Sequence, residues 1–314
     1  MTPDKTLWTA FGVVGLVLIA ATVTIALLAR RHPVRDWREL TLRVRTWWII
    51  VAVFAVAITF NNTVSVVVFG FVSFLAFKEY LTLVPTRRAD HLTLLWAYLA
   101  IPVQYWWVHD GWYGMFIIFI PIYMFLFLPM RMVFIGETQG FLRSAATLHW
   151  GLMTTVYCLS HMAFLIVLPG TAVGGAAGNG PLLVLYLVVL TQANDVAQYL
   201  WGKSLGRGRS KIVPKVSPGK TTIGFLGGAA TTTALGGILG PVLTPMNWQW
   251  SLASGLLIGV TGFVGDVVVS AVKRDIGVKD SGDLLPGHGG ILDRLDSLTY
   301  TAPLFFHFLR YLYY

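Results

Sequence analysis

Residues 7–29, LWTAFGVVGLVLIAATVTIALLA, carry no ionisable side chain over a length that crosses about 30 Å of hydrocarbon as a helix. In lipid the backbone must satisfy its own N–H and C=O groups, which restricts such a run to helix. The run is too long for the core of a signal peptide and lacks a small-residue cleavage site after it, so it reads as a retained span. Eight more apolar segments follow, near 47–60, 64–84, 92–108, 112–133, 147–168, 181–201, 222–243 and 248–272. Residues 299–314 read as a half-length or interfacial helix. Only 12% of the residues are charged, against roughly 25% in soluble domains. The expected fold class is all-α: a polytopic integral membrane protein of about nine transmembrane helices, with no soluble domain. The single cysteine, Cys158, excludes an internal disulfide and reads as a small buried hydrophobe.

Charge sets the expected orientation. Arg30, Arg31, Arg35, Arg38, Arg43 and Arg45 follow the first span, against Lys5 alone before it. The excess of Lys and Arg in cytoplasmic loops then puts the N-terminus outside and, after nine spans, the C-terminus inside. Trp106, Trp107, Trp112 and Tyr113 flank an external turn as an interfacial aromatic belt would. The net charge of +9 reports topology and attraction to anionic membrane lipids, so no nucleic-acid partner is expected. The chain divides into a scaffold of N-terminal spans (1–180) and a catalytic region (181–314). A bacterial inner membrane is the expected location, with the polar cavity open to the cytoplasm. Self-association into a homodimer is left open.

Against this apolar background, residues 270–296 are dense in charge. Lys273, Arg274, Asp275, Lys279, Asp280, Asp283, Asp293, Arg294 and Asp296 alternate with glycines. Acids can hold a divalent cation, bases can neutralise phosphate, and glycine lets backbone approach a polyphosphate. Two acids, Asp195 and Asp266, lie in or at the edge of spans, where an ionised carboxylate is costly enough to mark a polar cavity. Asp266, Ser270 and Lys273, at i, i+4 and i+7, share one helix face that leads toward the charged loop. Asn194, Asp195, Gln198 and Tyr199 form a similar face on the 181–201 span.

The loop between those spans holds Lys203, Arg207, Arg209, Lys211, Lys215 and Lys220 and no acid. Its Pro218-Gly219 pair predicts a turn presenting Lys220 and Thr221 at the start of the next helix, where free N–H groups attract anions. The spacing does not fit a Walker motif. His288 has no second histidine at metal-ligand spacing and suits a hydrogen bond to phosphate or backbone.

The run Ser270-x-x-Lys273-Arg274-x-x-x-x-Lys279-Asp280, followed by His288-Gly-Gly-x-x-Asp293-Arg294-x-Asp296, resembles the signature of the CDP-diacylglycerol synthases, or phosphatidate cytidylyltransferases. Asp195 with Tyr199, Gly202-Lys203, and the run from Pro214 to Thr221 are similar as well, so the resemblance covers about 190–300. Two departures stand out. The family usually has an acid shortly after the Lys-Thr pair, where this chain reads Thr222-Ile223-Gly224. Around Asp195 the usual A-D-S-G-A-Y is replaced by Asn194-Asp195-Val196-Ala197-Gln198-Tyr199.

The resemblance implies attack of the phosphate of phosphatidic acid on the α-phosphorus of CTP, giving CDP-diacylglycerol and pyrophosphate. It also implies Mg²⁺, with room for a second cation, on Asp266 and Asp293, with Asp296 and Asp280 as further candidates. Lys273, Arg274, Lys279 and Arg294 would then neutralise phosphate. Lys215, Ser217 and Lys220 would close over the nucleotide, with Asp195, Lys203, Thr221 and Ser270 completing the substrate site and Asp280 and His288 the catalytic loop. On that reading Asp293→Asn abolishes turnover and spares the fold. Three alternatives remain at this stage: a paralogue acting on another lipid phosphate, a CTP-dependent lipid kinase, and an ion or phosphate transporter.

Overall fold

The computed structural model describes residues 5–33, 36–168, 179–206, 210–287 and 289–314. Each of the nine expected spans is a helix: α1 (Lys5–Arg31), α2 (Arg38–Thr59), α3 (Asn62–Leu83), α4 (His91–Asp110), α5 (Tyr113–Val133), α6 (Phe141–Val167), α7 (Gly180–Ser204), α8 (Thr222–Leu243) and α9 (Trp248–Asp275). All but α4 are apolar enough along their length to cross a membrane, and α4 at 20 residues spans the same thickness. The turn at Gly111 is flanked by the exposed Trp106 and Trp112, the residues the sequence assigns to an aromatic belt. Arg35, Arg207, Arg209 and His288, and the loop after Pro169, lie outside the described residues.

Local chemistry explains the ends that matter. Asn61 accepts from Val64 N at 2.9 Å to start α3, Thr221 from Gly224 N at 3.0 Å to start α8, and Asn247 from Trp250 N at 2.9 Å to start α9. The start of α2 is earlier than the apolar run suggests. Asp36 accepts from Arg38 N at 2.8 Å, and the good helix formers of 38–45 extend the helix ahead of the apolar run. That extension carries Arg43 and Thr46 to the charged loop.

Helices α7, α8 and α9 pack tightly because α8 presents a glycine face. A Cβ at Gly236 would lie 2.8 Å from the Gly255 Cα, and one at Gly224 2.8 Å from Gln198 O. Small residues allow such approach, and between membrane helices packing is the main attractive force. By contrast, α1 touches mainly α2 and is largely exposed to lipid.

The C-terminal segment corrects the expected topology. After a one-turn helix α10 (Leu292–Leu295), residues Leu298–Tyr313 form α11 inside the bundle, with Phe305, Phe306 and Leu309 fully buried. Its start lies against Gly265 near the loop end of α9, whereas Phe308 meets Trp250 at the other end of that helix. Arg310 stacks on Tyr113 beside the turn at Gly111. The C-terminus therefore lies at the end opposite the charged loop, not on the same side as expected. Sixteen residues rise about 24 Å. That suffices because the helix is sheathed by protein and need not match the bilayer alone. The N-terminus lies at that same far end, since α1 runs antiparallel to α2, with Phe11 on Phe54 and Thr22 on Trp48.

Candidate active site

Two polar clusters lie one above the other at the loop end of α7, α8 and α9. The deeper one holds three carboxylates. Asp195 on α7 accepts from Ser297 Oγ at 3.2 Å, and Asp266 on α9 accepts from Ser270 Oγ at 3.2 Å. Asp296, in the turn between α10 and α11, is brought close because Gly265 leaves room for it. A Cβ there would lie 2.7 Å from Asp296 O. Among the described residues the Asp296 carboxylate accepts only from Ser297 N, at 2.8 Å. Burial first, then the Asp266 and Asp195 carboxylates, pushes its acid well above the usual range.

Lys220 is the cation of this cluster. Its ammonium pairs with Asp266 and donates to Gln198 Oε1 at 3.0 Å. The basic loop delivers it through a closed turn: Lys220 N donates to Ser217 O, and Ile212 N to Lys220 O. Pro218-Gly219 thus makes the predicted turn, and Thr221 caps α8. Asn194, next to Asp195, is buried and bonded to Gly259 O and Thr232. Tyr199 and Lys203 do not join this face. They pair with each other on the exposed side of α7, at 3.2 Å.

The upper cluster is the charged loop itself. Lys273 Nζ donates to Asp293 Oδ1 at 2.6 Å, and Asp293 Oδ2 accepts from Ser281 N at 2.8 Å and Gly290 N at 3.0 Å. Burial alone would raise the Asp293 acid, but Lys273 and the two N–H donors hold it below the usual range. With both oxygens engaged, Asp293 is a loop anchor in this conformation, not an open metal ligand. Arg274 likewise has a local task. It donates to Val216 O at 3.3 Å and Val278 O at 3.0 Å, tying the basic loop to the signature loop. Lys215, Lys279, Asp280 and Arg294 are exposed around the rim and Ser217 is half-buried there. His288, assigned to this loop by the sequence, falls outside the described residues.

The structure adds a residue that the sequence reading passed over. Glu79, on α3, is buried and accepts from Ser281 Oγ at 2.5 Å, Ile291 N at 2.8 Å and Leu292 N at 3.0 Å. An ionisable group inside the expected 64–84 span was the available signal, by the same rule that selected Asp195 and Asp266.

The glycines now have reasons. Gly289 adopts φ +80°, and a Cβ at Gly290 would collide with Glu79 Oε1 and Ser281 Oγ. Gly290→Ala is therefore expected to lower CTP-dependent turnover at least tenfold with helix content unchanged, as read by labelled-CTP assay and circular dichroism. Wild-type turnover in this variant would show that the loop does not act in this conformation.

A family model for the cytidylyltransferase family matches residues 41–312, nearly the whole bundle and both clusters. The chain belongs to the cytidylyltransferase family. Within it, the chain is 49% identical over 308 residues to the uncharacterized protein YnbB of Escherichia coli, covering 98% of each chain. It is 43% identical over 135 residues to a phosphatidate cytidylyltransferase of Synechocystis, and 43% over 131 residues to one of Bacillus subtilis. Those matches cover 42% and 41% of this chain, and 44% and 48% of the two relatives, so this cytidylyltransferase-family chain spans under half their length. A nucleotidyltransferase embedded in a membrane accounts for the charged loop on a lipid-soluble bundle, and the resemblance read from the signature is upheld.

Carboxylate oxygens are the donors that a hard divalent cation prefers. Among the described residues no group of three or more Asp, Glu, His or Cys side chains is placed to hold a metal ion. Mg²⁺, however, usually keeps one or two carboxylates and takes its other ligands from water and substrate phosphates. Among the described residues Asp296 alone of the acids in the two clusters keeps a carboxylate oxygen without a bonded donor; both oxygens of Asp195, Asp266 and Asp293 are engaged by protein donors.

Proposed function

We propose that this protein transfers the cytidylyl group of CTP to phosphatidic acid, releasing pyrophosphate and forming CDP-diacylglycerol on the cytoplasmic face of a bacterial inner membrane. The observation that carries this reading is the signature loop held by the Lys273–Asp293 pair beside the Asp195, Asp266 and Asp296 carboxylates. A lipid phosphate oxygen attacks the α-phosphorus, a P–O bond forms, the α–β anhydride breaks, and pyrophosphate carries off the electron pair. The phosphomonoester is already a nucleophile near neutral pH, so the protein's contribution is charge neutralisation and alignment. Asp266 and Asp296, with Asp195, would hold Mg²⁺, which supplies Lewis-acid neutralisation of phosphate charge when bound. Lys220 and Arg294 offset the carboxylate charge from two sides and stand where they can turn to phosphate oxygens. Exposed Lys215 and Lys279 form the mouth through which the triphosphate enters.

One observation favours a second acceptor. The full-length similarity is to a protein without an assigned substrate, and the usual acid after the Lys-Thr pair is absent at Thr222-Ile223. A related lipid phosphate is the alternative to phosphatidic acid. CTP labelled separately at the α- and γ-phosphates, with Mg²⁺ and purified protein in detergent, tests both readings. Label from the α-phosphate is expected in the lipid. Label from the γ-phosphate would instead make the protein a lipid kinase. Transfer only to other lipid phosphates would keep the chemistry and replace the acceptor.

A further inference from the structure

We infer that Glu79 is a positioning residue of the transferase, holding the signature loop in its working conformation from the N-terminal half of the chain. This inference rests on the proposed cytidylyl transfer and assigns part of it to a helix outside the signature. Both Glu79 oxygens are engaged by the loop: Oε1 accepts from Ser281 Oγ and Leu292 N, and Oε2 from Ile291 N. Ser281 and Gly290 donate their backbone N–H groups to Asp293, whose other oxygen takes Lys273. One continuous network therefore runs from α3 through Ser281 and Asp293 to Lys273 on α9.

The chemistry argues against a direct substrate role. A carboxylate facing a triphosphate would repel it, and the donors around Glu79 leave it no open oxygen. The buried carboxyl group is satisfied because three donors converge on it, Ser281 Oγ, Ile291 N and Leu292 N. A second attachment comes from the same half of the chain. Thr46 Oγ1 on α2 donates to Pro286 O at 2.7 Å, and Arg43 packs on Gly287, whose φ is +77°. The loop is thus gripped at residues 281, 286–287 and 291–292 by α2 and α3, while α9 holds its start. The N-terminal half is more than a lipid-facing scaffold.

The test compares Glu79→Gln, Ser281→Ala, their double variant and Thr46→Val in the full-length protein in detergent, using CTP, Mg²⁺ and phosphatidic acid. Glu79→Gln keeps the side chain's size, but its NH₂ meets donors where an acceptor is needed. We expect kcat to fall at least tenfold with the KM for CTP changed less than threefold. Peptides covering 279–296 should exchange amide hydrogens faster, while α3 and α4 peptides remain protected. Ser281→Ala should add little to the Glu79→Gln effect on kcat, because both act through one network. Thr46→Val should give a smaller loss in the same direction.

A Glu79→Gln protein with kcat within twofold and unchanged exchange at 279–296 overturns the inference. So does a uniform rise in exchange across the bundle with normal kcat per folded molecule, which would make Glu79 a packing residue. Should Glu79→Gln fail to fold, Ser281→Ala and Thr46→Val decide by the same two readouts. If the wild-type protein transfers nothing to phosphatidic acid, the acceptor reading fails alone. Loop exchange in the variants still decides Glu79.

Discussion

An Asp296→Asn variant is expected to lose cytidylyl transfer by about a thousandfold, roughly 4 kcal/mol in the barrier, while melting no lower than the parent protein in the absence of divalent cation. The amide has the shape of the acid and lacks its charge. It therefore relieves the repulsion from Asp195 and Asp266 that, with burial, pushes the Asp296 acid up. The raised value fixes the sign of the pH dependence. Between the ordinary aspartate value of about 3.9 and the raised folded value, the folded protein holds a proton that the unfolded chain has released. Without cation, stability should therefore fall as pH rises through that window, and Asp296→Asn should flatten the fall. Mg²⁺ should restore the parent at high pH and leave the variant unmoved. Melting curves across pH, with and without Mg²⁺, check this. A variant that melts well below the parent, or still responds fully to Mg²⁺, would remove Asp296 from the cation site.

Asp293→Asn should behave in the opposite way, losing both turnover and the closed loop. Its side chain is 6% exposed and that of Lys273 10%, so the substitution strands a buried ammonium. Breaking a buried pair from one side costs about 3–5 kcal/mol. The metal-ligand reading expected the fold to be spared, and the geometry replaces that expectation. Here the acid is held below its usual range. Its contribution to stability is present above about pH 3.9 and is lost as pH falls through the depressed folded value. Acidification should open the parent's loop and leave the variant's, already open, unchanged. Limited proteolysis across residues 279–296 from neutral to acid pH reads this directly. A protease-resistant loop in Asp293→Asn at neutral pH would show that the pair is dispensable.

The nine long helices were legible in the sequence because lipid leaves an apolar backbone few options, and period and length suffice to find them. The signature loop was legible as a string of residue types in fixed order. What each residue does was not. Asp293 and Asp296 are three positions apart and similar in sequence, yet one is saturated by Lys273 and two N–H groups and the other is nearly bare. That difference is set by Ser281 and Gly265, which carry no charge signal. Tyr199 was assigned to the cavity by periodicity and Lys203 by the resemblance, and both face outward. The direction of α11 was hidden because a helix buried in protein escapes the length rule that lipid imposes.

The bond from Ser281 to Glu79 joins residues 202 positions apart. A ribosome releases α3 long before it reaches the loop, so during synthesis the Glu79 carboxylate waits in the membrane without the donors that later satisfy it. Ser281, Ile291 and Leu292, made some two hundred residues later, supply them. The carboxylate and its donors therefore meet late: a chain stopped short of residue 281 has α1 to α9 and none of the groups that bond Glu79.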